Sequence, residues 1–151
     1  MRVGVISDTH GLLRPEAVEA LANSELILHA GDIGKPEVLV ELEAIAPVIA
    51  VRGNNDMEEW AEAIGDRKTF KIENTSVHLL HIGQELNLLE TGNVQVVISG
   101  HSHKPSIVER DGILFLNPGS AGPRRFKLPI SVAHLQIEGN AIHAEIVELA
   151  V

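Results

Sequence analysis

Hydrophobic positions in this chain come in short blocks, and five of those blocks run into polar clusters. Val3-Gly4-Val5-Ile6 leads to Ser7-Asp8-Thr9-His10, Leu26-Ile27-Leu28 to Gly31-Asp32, and Val48-Ile49-Ala50-Val51 to Gly53-Asn54-Asn55-Asp56. The segment 76–82 carries His81, and Val96-Val97-Ile98 leads to Gly100-His101-Ser102-His103. Between the first blocks the apolar spacing becomes helical. Pro15 opens a stretch with Val18, Leu21 and Ala22 on one face, and Pro36 opens another with Val38, Leu39, Leu42 and Ile45. Strands apolar on both faces, alternating with amphipathic helices, predict β-α-β-α-β with a parallel sheet under helices.

The later part of the chain reads as hairpins. Segments near 68–73 and 76–82 flank Asn74-Thr75, and Ser106–Arg110 and Ile113–Leu116 flank Asp111-Gly112, a strong two-residue turn. Ile130–Ile137 and Ile142–Leu149 flank Glu138-Gly139-Asn140. A short helix is expected around Glu85–Glu90. The pattern amounts to two packed sheets with helices outside.

Composition narrows the function. With 151 residues, one domain over 1–151 is the simplest organisation. No apolar run is long enough to span a bilayer, and the first ten residues lack a signal-peptide core. The absence of cysteine excludes disulfides, thiolate metal sites and a cysteine nucleophile, and suits a cytoplasmic protein. The net charge of −9 disfavours a basic nucleic-acid surface, and three Phe, one Trp and no Tyr disfavour an aromatic platform for stacking single-stranded bases. A small phosphorylated substrate held by metal ions remains open.

Candidate chemistry follows from where the blocks stop. The carboxyl ends of strands in an open α/β sheet form one rim, where ligands bind. Asp, His and Asn clusters brought to that rim offer oxygen and nitrogen donors for two divalent ions of borderline hardness. Glycines before Asp32, Asn54 and His101 permit tight turns and close backbone approach. Each cluster alone has a bland reading: a solvated loop, a turn, an interior histidine. Five in this order do not.

The set Asp8-x-His10, Gly31-Asp32, Gly53-Asn54-x-Asp56, His81 and Gly100-His101-x-His103 resembles the calcineurin-like metallophosphoesterase superfamily, and within it the small bacterial and archaeal phosphodiesterases. Asn117-Pro118-Gly119-Ser120 with Pro123-Arg124 supports that branch. The resemblance implies an α/β fold, a four-layer αββα sandwich of two mixed β-sheets. It implies Asp8, His10 and His103 as ligands of one metal, Asn54, His81 and His101 of a second, and Asp32 as a bridge. The implied reaction is phosphodiester hydrolysis by a metal-bridging hydroxide, with manganese the first expectation and iron, nickel, cobalt or zinc also suited. Asp32, Asn54, Asn55 and His101 are the residues expected to carry the reaction, and Arg124 is expected on the substrate phosphate. Self-association into a homo-oligomer is a further implication.

Two departures stand out. Many superfamily members carry His after the metal-binding Asn, where it protonates the leaving group; here the residue is Asn55. General acid catalysis contributes typically ~10²–10⁴-fold, so activated diesters are expected to outrun monoesters. Asn55 also has a purely structural reading, with Asp56 and Glu59 capping the next helix. The second departure is His81-Ile82-Gly83, where the family has Gly directly after His. The short 82–100 segment points to a longer insertion in relatives. A non-catalytic interaction module like the superfamily's retromer subunit, a phosphomonoesterase and a nuclease are the rival functions. His29, His78, His134 and His143 are expected to be structural or exposed, and His29 to lie behind the ligands.

Overall fold

The computed structural model describes residues 1–151. Strand β1 (Arg2–Ile6) pairs in parallel with β2 (Leu26–His29), and β2 with β3 (Val48–Ala50). β9 (Ser131–Glu138) and β10 (Ala141–Glu148) add on antiparallel, giving the order β10-β9-β1-β2-β3. A second mixed sheet has the order β4-β5-β6-β8-β7, built from β4 (Arg67–Ile72), β5 (Thr75–Leu80), β6 (Val96–Ile98), β8 (Ile113–Asn117) and β7 (Ser106–Arg110). Two mixed sheets flanked by helices form the α/β sandwich expected from the sequence.

Burial explains the layering. Val3, Val5, Leu28, Val77, Leu79, Val96, Ile98 and Leu135 form the core between the sheets. On the outer face of the first sheet, Ile6, Ile27 and Val132 meet α1 (Pro15–Ala20) and α2 (Pro36–Glu43) through Ala17, Leu21, Val38 and Leu42. Prolines stand in the first turn of both helices, where a missing N–H costs nothing. Ala22, placed on the inner face by spacing, is exposed, because α1 ends at Ala20 and the chain turns away.

The outer face of the second sheet is more thinly covered. Only a 3-10 turn (Gly83–Glu85) and a single helical turn, α4 (Leu88–Thr91), lie near the small cluster Leu80, Val94 and Val97. The helix expected over Glu85–Glu90 is therefore two separate turns: Leu86 is extended, and Asn87 starts afresh by capping the N–H of Leu89. A second expectation also fails. Asp56 does not cap α3 (Glu59–Glu62), whose N-cap is Glu58 without a side-chain bond. Asp56 is instead buried and accepts the N–H groups of Gly53, Ile33 and Gly34 at 2.8, 3.0 and 3.0 Å.

The topology places the five polar clusters together. β1, β2 and β3 run in parallel, as do β5 and β6, so the clusters after them share one rim. Backbone bonds sew the rim: Asp8 N–H to Gly31 O, His10 N–H to Asp32 O, and Gly100 N–H to His81 O. The His101 N–H crosses between the sheets to Asp8 Oδ2 at 3.0 Å.

Candidate metal centre

Three of the five clusters reach the rim through a left-handed backbone. Eight non-glycine residues have positive φ, and five of them are Asp8, His10, Asp32, His101 and His103. Such conformations cost energy for most L residues and concentrate at functional sites. Glycine handles the tightest approach. A Cβ on Gly53 would run into the carboxylate and backbone nitrogen of Asp32.

Two groups of donors result. Ligand-type atoms of Asp8, His10 and His103 lie within 4.8 Å of one another, and those of Asp32, His81 and His101 do likewise. The groups adjoin: Asp32 Oδ2 is 3.2 Å from His81 Nε2 and 3.7 Å from His10 Nε2. Asp8 Oδ1 is 3.4 Å from His103 Nε2 and 3.8 Å from both His10 Nε2 and His81 Nε2. Asn54 is exposed and lines a cavity of about 480 Å³ together with His81, Arg52, Arg67 and Ile82.

Neighbouring groups aim the donors. Asp8 Oδ2 accepts from the Ser7 hydroxyl at 2.7 Å and from His101 N–H, leaving Oδ1 free. His81 Nδ1 donates to the Ala30 carbonyl at 2.7 Å, which turns the lone pair of Nε2 toward the carboxylates. Asn55 holds Asp32 with its backbone N–H on Oδ1 at 2.9 Å and its side-chain amide on Oδ2 at 3.1 Å. Asn117 donates to Gly100 O and Ser102 Oγ, bracing the turn between His101 and His103. The Ser120 hydroxyl donates to the Asp8 carbonyl. His29 is fully buried; Gly31 N–H donates to its Nδ1, and Nε2 meets Thr9 Oγ1 at 3.0 Å. Thr9 in turn donates to Ile33 O.

The electrostatics follow. Burial, reinforced by the charge of His81, drives the His29 pKa down to about 3, so the ring is neutral. Burial opposes the charge of Asp32, yet the adjacent His81 imidazole and the hydrogen bonds from Asn55 hold its carboxyl down at about 2. At His81 burial works against protonation, but Asp32 and Asp8 outweigh it and raise the pKa. Burial lowers that of His103.

Six buried side-chain polar atoms lack any hydrogen-bond partner, and four belong to these residues: Asp8 Oδ1, His10 Nε2, His81 Nε2 and His103 Nδ1. Buried unpaired polar atoms are costly and rare, so such a concentration calls for something to satisfy it. Mixed imidazole and carboxylate donors at this density suit a divalent cation.

The family model described as the calcineurin-like phosphoesterase superfamily domain matches residues 1–140. The chain belongs to that superfamily. It is 44% identical to the probable metallophosphoesterase of Methanothermobacter thermautotrophicus, over 97% of this chain and 92% of the relative. The solved structure of an archaeal phosphodiesterase is 29% identical, covering 97% of this chain and all of that one, with a TM-score of 0.79. Vps29 of Entamoeba histolytica, solved in complex with Zn²⁺, is 25% identical over 98% and 99% of the two chains, with a TM-score of 0.73. Membership of a metallophosphoesterase family, with these donor groups, implies divalent metal ions. No helix is long and apolar enough to cross a membrane.

The structure gathers Asp8, His10, Asp32, His81, His101 and His103, with Asn55 behind Asp32. Arg124, expected on the substrate, points its guanidinium elsewhere, donating to the carbonyls of Leu128 and Val151. Its neighbour Arg125 is the one whose charge acts on His103. Arg52 pairs with Asp66 at 2.6 Å. Sequence reasoning missed the supports Ser7, Thr9 and Asp56. Proximity to the metal motifs was their only signal, because their partners are backbone groups brought close by the fold.

Proposed function

We propose that this chain is a dinuclear metal-dependent phosphodiesterase. The observation that carries the reading is the convergence of unpartnered donor atoms from two adjoining groups, with Asp32 Oδ2 near histidines of both. Asp8, His10 and His103 would hold one ion, and His81, His101 and Asn54 the other, with Asp32 shared. When bound, such a pair lowers the pKa of a water and offsets charge on the phosphoryl oxygens, and manganese suits the donor set as iron, nickel, cobalt or zinc also do.

The chain's own residues set the rest. Ser7 and the His101 N–H fix Asp8, Asn55 fixes Asp32, and Ala30 fixes the His81 ring. Water adds to phosphorus and the alcohol arm departs, leaving a monoester. The Asn55 amide cannot protonate that arm near neutral pH, and its N–H faces Asp32. Diesters with good leaving groups are therefore favoured over monoesters. The same observation supports a second reading, a metal-holding interaction module, because Asn55 replaces a catalytic proton donor with a positioning group.

The test is a paired assay on metal-stripped protein reloaded with Mn²⁺. Bis-p-nitrophenyl phosphate is compared with p-nitrophenyl phosphate, with Asp32→Ala as control and metal content measured alongside. The expected result is metal-dependent diester cleavage, little monoester cleavage and loss of bound metal in Asp32→Ala. Faster monoester cleavage overturns the role given to Asn55. Two bound ions with no turnover move the reading to the interaction module.

A further inference from the structure

Outside the metal centre, one buried histidine leaves half of its ring unsatisfied. His78 stands on β5 and is 3% exposed, yet its Nε2 has no hydrogen-bond partner. Its Nδ1 meets the Thr69 hydroxyl at 2.7 Å across the β4–β5 pair, where the two residues stand opposite each other. Its other neighbours on that face, Leu80 and Val97, are apolar and pack together. A histidine in this row buries a polar atom that an aliphatic side chain would not, and such atoms rarely stay unpaired.

His78 borders a cavity of about 220 Å³ between the start of β4 and α4. Its wall is wholly polar: Arg67, Thr69, Asn87, Glu90 and Thr91, with Lys68 on the strand between the first two. The volume holds several waters at about 30 Å³ each, far more than one ring nitrogen needs. Arg67 has no hydrogen bond or ion pair, unlike Arg52, which Asp66 holds at 2.6 Å. By strand register Arg67, Thr69 and His78 share one face of the sheet. Burial, and after it the charge of Arg67, lowers the His78 pKa, so the ring is neutral. The Asn87 Oδ1 is taken by Leu89 N–H, which leaves its amide N–H groups free. Donors therefore dominate the wall, and Glu90, its one carboxylate, is solvent-exposed.

We propose that this cavity is a binding site for a small tetrahedral dianion, inorganic phosphate or its like. Arg67 offers a planar fork that matches two of the anion's oxygens. The Asn87 amide and the His78 ring supply further N–H groups. The Thr69 hydroxyl donates to Nδ1, which places the ring proton on Nε2, where the anion accepts it. Arg67 also lines the cavity that contains His81 and Asn54, so the anion site shares a wall with the space beside the second donor group. The site does not depend on the phosphodiesterase reading, because none of its residues belongs to the metal centre.

The probe is sulfate, a tetrahedral dianion that leaves the metal in solution, titrated into the ¹⁵N-labelled full chain loaded with diamagnetic Zn²⁺. Chloride holds the ionic strength constant. The ring nitrogen shifts of His78 report both its tautomer and occupancy of the cavity. The expected result is a ring protonated on Nε2 and a shift of Nε2 that saturates with sulfate. Sulfate at the metal centre moves the signals of His10, His81, His101 and His103 instead, so the two events are told apart by residue. Arg67→Ala should weaken the His78 event on the order of tenfold, and Arg67→Lys, which keeps the charge without the fork, should weaken it less. Lys71→Ala, which removes a charge from the same face of β4 outside the cavity, should leave it unchanged. A His78 shift that never saturates, or that Arg67→Ala leaves intact, overturns the site. A ring protonated on Nδ1, with Nε2 moving when more Zn²⁺ rather than sulfate is added, overturns it in favour of a cation held by His78 and Glu90.

Discussion

At the scale of single residues, Asn55 is one of the two departures from the family pattern read in the sequence. Its amide and backbone N–H both face Asp32, so its contribution is to fix the carboxylate that lies between the two donor groups. Asn55→Ala keeps the backbone bond and loses the amide. Groups that orient metal ligands typically contribute ~10–100-fold in metal affinity, so Mn²⁺ should bind more weakly by about that factor. Calorimetric titration of the metal-free protein checks it; unchanged affinity would mean that the backbone N–H alone positions Asp32. The ligand candidates were legible in the sequence because each follows an apolar run that had to be a strand. The role of Asn55 was not, since nothing along the chain says that an amide at 55 meets a carboxylate at 32. The surroundings of Arg124 were hidden for the same reason: a guanidinium beside the motif was legible, whereas its partners Leu128 and Val151 depend on the folded path of the loop.

At the scale of elements, the loops after β2 and β3 act as one unit joined by Asp56 and lined by His29. Asp56→Ala would leave three backbone N–H groups without their acceptor in a buried place. Each unsatisfied group costs ~1–3 kcal/mol, so urea unfolding of the metal-free protein should show a loss of about 3 kcal/mol or more. Asp56→Asn, which keeps one carbonyl oxygen, should lose less. His29 adds a pH dependence. Its folded pKa is depressed to about 3 from an ordinary 6.5, so the unfolded chain binds the extra proton between those values. Stability is full above pH 6.5 and falls as pH drops through that window, by up to ~1.4 kcal/mol per pH unit from this residue. Asp32, depressed to about 2 from 3.8, adds a loss below pH 4 with the same sign. Unfolding curves from pH 7 to pH 4 should show the His29 slope, and His29→Gln should flatten it. The strands of this unit were visible as apolar runs and its turns as glycines. The 83–91 segment was less so, because its apolar residues are largely exposed and no buried face imposes a period on it.

At the scale of the whole molecule, the two sheets meet at the rim through a few bonds, His101 N–H to Asp8, His81 to the Ala30 carbonyl and Ser120 to the Asp8 carbonyl, alongside unpaired donors. The apolar core holds the sheets from below, and no hydrogen bond satisfies those donors from above. Ions that bind the folded chain and not the unfolded one add RT ln(1 + [L]/Kd), about 2.7 kcal/mol per site at a hundredfold excess over Kd. For a chain of this length that is a rise of roughly 5–10 °C per site. Thermal melts should therefore climb when Mn²⁺ is added to metal-free protein and fall back with chelator. Most of the increment should vanish in Asp32→Ala, which removes the carboxylate shared between the two donor groups. An equal increment in wild type and Asp32→Ala would place the metal-linked stability elsewhere in the molecule and detach the family's chemistry from this rim.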